Sequence, residues 1–176
     1  MTTTTGPTTT TLTRERADLL ETLRTHRAFL LQTLRGLTDV QATTRTTASE
    51  LTLGGLVKHV SATEAQWADF IERGPAAMAA ATGDEAAWAD GFRLLPGETV
   101  ADVVRAYEAV AERTDALVAS LPDLDASHPL PAAPWFEPGA SHSARRVLLH
   151  LVAETAQHAG HADILRESLD GAKTMG

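Results

Sequence analysis

The chain contains no cysteine. It can therefore form no disulfide and offers no cysteine nucleophile, so any thiol chemistry must use a thiol brought from outside. Lysine is almost missing too, occurring only at Lys58 and Lys173, and arginine supplies the other thirteen cations. That usage hints at a GC-rich bacterial genome. Positive charge is in deficit overall: the net charge is −8. A surface of that sign opposes a broad grip on phosphate backbones or on anionic membranes, and no nucleic-acid or membrane partner is expected. No apolar run approaches the roughly 20 residues that span a bilayer. The first thirteen residues are mostly Thr, with neither the basic start nor the apolar stretch of a secretory signal. They read as a disordered tail on a cytoplasmic protein. Runs of alternating polarity flanked by turn pairs are absent, and so is any repeat of fixed period.

What remains is helical periodicity. The 176 residues suit one domain, taken as residues 14–171, with a core of helix-bundle size. Leu19, Leu20, Leu23, Leu30, Leu31 and Leu34 recur at spacings of three and four, predicting a first helix over Arg14 to Arg35, capped by Thr13 and closed at Gly36. A second begins after Thr52 and ends near Arg73, before Gly74 and Pro75, with Leu56, Val60, Trp67 and Phe70 on its inner face. Thr99 and Asp102 form a capping-box pair for a third, which runs to Pro122. After a Pro-rich stretch, Ser141 or Ser143 can cap a fourth that reaches Asp170 and stops at Gly171. The link between Gly74 and Pro96 has room for short helical turns. Four long helices in one small all-α domain predict a four-helix bundle.

The fourth helix carries an anomaly. Strides of four and three from Val147 pass through Leu151, Glu154, His158, His161 and Leu165, so three ionisable groups interrupt the apolar seam expected to face the bundle axis. At 3.6 residues per turn they share one face. Burying them unpartnered would cost several kcal/mol, and a divalent cation is one form of compensation; a hydrogen-bonded polar network is the other. His59 can face inward from the second helix, beside Leu56 and Trp67. A His from one helix with a carboxylate and a His four apart on another is a common way for a bundle to build a metal site, although a lone inward His is more often a satisfied core residue. His150 lies one turn before Glu154 and can support the site from behind. His26, His128 and His142 have no partner spacing and read as solvated, as does Glu64; Asp163 stands close enough to His161 to orient a ring.

Two segments, LTLGGLVKHVSATEAQW on the second helix and LLHLVAETAQHAGHADILRESLDG on the fourth, resemble the DinB-like superfamily. The resemblance is closest to its bacterial branch related to mycothiol-dependent enzymes, among them maleylpyruvate isomerase, and it extends from about Glu15 to Gly171. It implies a DinB-like four-helix bundle with a metal site between the second and fourth helices. Position by position, the ligands implied are His59, Glu154 and His158; His161 stands as a ligand in place of Glu154 or as a catalytic group. Arg146 occupies a place where the branch commonly has Trp, and Ala153 one where it often has an acid, changes that bear on the pocket and its substrate. Three protein ligands leave an open coordination position, and zinc suits the donor set first, with nickel, iron or manganese as rivals. The function implied is a metal-dependent thiol transferase with mycothiol as co-substrate and a small electrophile as acceptor. His161 is its candidate base, imidazole being the side chain suited to proton transfer at neutral pH. Arg146 and Arg166 are candidate partners for an anion. A metal-dependent isomerase, lyase or hydrolase, or a non-enzymatic metal-binding stress-response protein, fits the same residues. A bundle of this size can also form a homodimer.

Overall fold

The computed structural model describes residues 12–78 and 85–174. Most of the Thr-rich tail and residues 79–84 of the link lie outside them. The predicted first helix is α1, Arg14–Gln32, and the second is α3, Leu53–Arg73; the third is α5, Val100–Ser120, and the fourth α6, Ala144–Asp170. Each starts on a hydroxyl N-cap foreseen in the sequence: the side chains of Thr13, Thr52, Thr99 and Ser143 accept from the backbone N–H three residues on. Between Ser141 and Ser143, the structure selects Ser143. The Thr99–Asp102 capping box is present in both directions. Gly74 and Gly171, at φ 68° and 81°, close α3 and α6 in a backbone region that suits glycine. The α1 helix stops short of its predicted end because Thr33 turns its N–H and hydroxyl back to the Leu30 carbonyl.

Three smaller elements add to this frame. Thr38 and Gln41 make a capping box for the one-turn α2, Asp39–Ala42. The link holds the expected short turns, a 3-10 turn at Gly74–Ala77 and α4 at Glu85–Asp90. The segment between α5 and α6, where the sequence shows no strand pattern, contains an antiparallel pair: β1, Ser127–Pro129, and β2, Ser141–Ser143, with His128 opposite His142. Three-residue strands are too short to show a period of two. They bring His142 back to the start of α6.

The α1 helix packs against α6 and α5, and α3 packs against the same two from the other side. The core has two apolar clusters, one around Leu20, Leu23, Phe70 and Leu151, the other around Leu30, Leu56, Tyr107 and Leu165. A polar layer separates them in every helix: Arg27 in α1, Glu64 in α3, Thr114 in α5 and Thr155 in α6 are all buried. Glu64 is therefore not the solvated charge its sequence context predicts. Arg27 Nε donates to Glu64 Oε2 at 3.0 Å, a second guanidinium nitrogen reaches Oε1, and a third donates to Asp115 at 2.8 Å. Burial opposes the charge on Arg27, yet these bonds and the two carboxylates raise its pKa above the ordinary value. Burial first, and the Glu64 carboxylate second, push the Tyr107 phenol up as well.

Two other arginines act as ties. Arg16 donates to the carbonyls of Val118 and Leu121 at 2.6 and 2.5 Å, and Arg166 to those of Thr33 and Arg35 at 2.7 and 2.9 Å. Each guanidinium satisfies orphan carbonyls at the end of another helix. Among the described residues, no helix is long and apolar enough to cross a membrane.

Candidate metal centre

On α6 the buried stripe is Leu151, Thr155, Ala159, Ala162 and Leu165. The seam predicted through Glu154, His158 and His161 runs one residue to its side. Side chains placed so are half-shielded: Glu154 keeps 22% of its exposure and His158 13%. The α3 helix places His59 likewise, beside the buried Val60 and at 21% exposure. The two flanks face each other, and the three groups meet at the edge of the core where a small molecule has access.

His59 Nε2 lies 3.3 Å from Glu154 Oε1, and His158 Nε2 lies 3.2 Å from the same oxygen. One donor atom from each residue falls within 4.8 Å of the others. Ligand atoms at about 2.0–2.1 Å from a tetrahedral ion stand about 3.3–3.4 Å apart, so the two measured spacings fit a zinc-like centre. They are also hydrogen-bond lengths. Bonds from His158 first and His59 second, set against partial burial, hold the Glu154 carboxyl well below the usual carboxylate range. The carboxylate is thus the charged form a cation needs.

His59 is fixed by a contact its own helix does not supply. Its ring stacks on Phe92, with centroids 4.0 Å apart and planes 18° from parallel. Phe92 can reach it because α3 opens with two glycines: a Cβ at Gly55 would come within 1.9 Å of the Phe92 carbonyl oxygen, and one at Gly54 within 2.4 Å of Leu94. Lys58 then ties the same segment down, donating to the Arg93 carbonyl at 3.2 Å and pairing with Glu98 at 2.6 Å. The Gly-Gly pair at the head of α3 was the sequence signal for this close approach, but it does not name the partner.

His161 stands beside the three-group cluster. Its Nδ1 is 3.3 Å from Nδ1 of His158, on the edge of that ring turned away from Glu154. Asp163 does not orient it; its carboxylate accepts from the Thr174 backbone N–H at 2.6 Å. Arg166, tied to Asp170 and to the end of α1, is likewise committed.

A cleft of about 450 Å³ opens onto Glu154 and runs toward the start of α6. His150 lines it, edge-on to Trp67 with centroids 5.1 Å apart, and burial lowers its pKa. His142, expected in solvent, lies there too, stacked on Trp67 at 5.8 Å. The β1–β2 pairing places it. His128 also has a partner, the Ile71 carbonyl at 3.2 Å, while His26 meets the edge of Phe29.

A family model described as Mycothiol-S-transferase matches residues 18–171, which include every residue of the cluster and of the cleft's α6 wall. The chain belongs to the mycothiol-S-transferase family. That family lies within the DinB-like superfamily, as the two helical segments led one to expect. No curated protein and no solved structure matches the chain.

Proposed function

We propose that the protein is a metal-dependent S-transferase that moves the thiol of mycothiol onto a small electrophile. One observation carries this reading: in a mycothiol-S-transferase family member without cysteine, two imidazoles and a carboxylate converge, half-shielded, and the carboxylate lines a cleft. His59, Glu154 and His158 are the proposed ligands, on a four-helix bundle domain of residues 14–171. Zinc is the first candidate and nickel, iron or manganese the alternatives. A divalent ion at this point supplies the positive charge that lets a thiol lose its proton near neutral pH.

The chain's own residues do the rest. The stacked Phe92 holds the His59 ring, and the Nδ1 contact with His161 fixes the plane and tautomer of His158, as the unliganded nitrogen of a ligand imidazole usually requires. His161 is also the proposed base outside the ligand set, and it would take up the thiol proton at Nδ1 by releasing its contact with His158. In the transfer, the thiol sulfur bonds to the electrophilic carbon and the leaving group departs with its electron pair. The proton passes to His161 and then to solvent. A cytoplasmic setting, where small thiols stay reduced, suits this chemistry.

The test is to follow mycothiol conjugates by mass spectrometry, using metal-loaded protein and a panel of haloaromatic and unsaturated acceptors. The expected result is conjugate formation above the uncatalysed rate, abolished in His158→Ala. Turnover of a substrate without consumption of thiol would replace this reading with an isomerase, lyase or hydrolase. No turnover with any acceptor would favour a metal-binding protein without transferase activity.

A further inference from the structure

Two adjacent arginines open α6, and the structure treats them differently. Arg145 is committed, paired with both Glu15 and Asp125. Arg146 has no carboxylate partner among the described residues, and it lines the cleft that leads to Glu154. Four residues on, His150 continues the same wall, and His142 stands four residues before Arg146 on β2. Three cationic or protonatable groups thus follow one another along the cleft. Among the described residues that line it, Glu154 is the one carboxylate, and it is already held by two imidazoles. A protein of net charge −8 has here gathered three basic groups along one cleft.

The rest of the lining is aromatic and apolar. Trp67 and Phe136 meet edge to face across the cleft, and Trp135 at its rim is 71% exposed, with most of its ring surface uncovered by the fold. The volume, about 450 Å³, suits a small molecule. We infer that this cleft is the acceptor subsite of the transferase, and that it selects an organic anion with a planar, unsaturated or aromatic body. The Arg146 guanidinium pairs with the carboxylate, and the rings of Trp67, Phe136 and Trp135 border the planar part. This places the electrophilic carbon toward Glu154 and makes Arg146 the residue that determines specificity. The assignment of the subsite as the acceptor's rests on the thiol-transfer reading; the anion binding itself does not.

The two can be tested apart. Calorimetric titration with 3,5-dinitrobenzoate and its uncharged analogue 3,5-dinitrobenzamide, without thiol, reads the subsite alone. The wild type should bind the carboxylate about tenfold more tightly than the amide, the scale of a charge-assisted bidentate contact. Arg146→Gln should reduce that ratio to about one and Arg146→Lys should keep part of it. Arg145→Gln, outside the cleft, should preserve it. Equal binding of the two probes by the wild type, or a preference that survives Arg146→Gln, would overturn the inference. The second arm adds mycothiol to 4-chloro-3,5-dinitrobenzoate. Sulfur bonds to the chlorine-bearing ring carbon, the C–Cl bond breaks, chloride leaves with the electron pair, and the thiol proton goes to buffer. Selective binding with turnover supports both readings, whereas selective binding without turnover keeps the anion subsite and removes thiol transfer.

Discussion

Two ionisable side chains of α3, His59 and Glu64, end in opposite circumstances. Glu64 is 1% exposed and meets a guanidinium that arrives from α1. With Asp115 and Arg24 added, the cluster is neutralised by the chain itself. His59 is 21% exposed and meets a carboxylate and an imidazole that leave room between them for a cation. A buried charge matched by the protein's own opposite charge is a structural device. Half-shielded imidazoles and a carboxylate that converge beside a cleft could instead hold a cation from outside. Burial with a complete set of partners, rather than polarity, separates the two.

The sharpest way to break the comparison is to remove Arg27. Arg27→Met would leave Glu64 buried without a counter-charge, and a loss of about 3–5 kcal/mol is expected from denaturant unfolding. The double variant Arg27→Met with Glu64→Leu should recover most of it. Metal content at His59, Glu154 and His158 should not change in the double variant. If it did, the two clusters would be one functional unit.

A smaller effect is expected at Gly55. Replacing a helical glycine by alanine ordinarily adds up to about 1 kcal/mol of stability, but overpacking of the kind forced here typically costs about 1–3 kcal/mol. The clash with the Phe92 carbonyl should win, so Gly55→Ala should lower Tm and weaken metal affinity together as Phe92 is pushed off His59. A gain in Tm with unchanged affinity would show that the segment at Phe92 does not support the centre.

The smallest effect is a pH dependence of the tie over that segment. The Leu95 backbone N–H first, and the Lys58 ammonium second, lower the Glu98 pKa from its ordinary 4.5. A carboxyl lowered in the folded state stabilises above its unfolded value and loses that contribution as pH falls through the folded one. Glu98 is 35% exposed, so the contribution should stay below about 1 kcal/mol. Comparing the Tm of wild type and Glu98→Gln, the wild-type advantage should be present at pH 7 and shrink below pH 4.5. An advantage independent of pH would mean that the carboxylate charge is not what matters.

The contrast between His59 and Glu64 also shows what a sequence can disclose. Helix starts were legible because N-capping is local: Thr13, Thr52, Thr99 and the Thr99–Asp102 box all act within four residues. The spacing of Glu154 and His158 was legible for the same reason, as they lie one turn apart. Periodicity put them on the buried axis, whereas Thr155, Ala159 and Ala162 take that place; a one-residue drift around α6 separates a buried seam from a half-open flank. The partner of Glu64 comes from 37 residues away, and nothing near either residue announces the other. His142 enters the cleft through a strand pair too short to leave a pattern, and Phe92 reaches His59 from an irregular segment. Local chemistry was readable, and long-range pairing was not.

His59, Glu154 and His158 together are proposed to hold one divalent ion. Elemental mass spectrometry on tag-free protein tests it directly, comparing wild type with His59→Ala, Glu154→Ala, His158→Ala and the Arg27→Met, Glu64→Leu double variant after identical purification. About one equivalent of metal is expected in the wild type and the double variant, and loss of it in each of the three single variants. A wild type that cannot be loaded with zinc, nickel, iron or manganese would contradict it, as would retention of the metal in all three single variants.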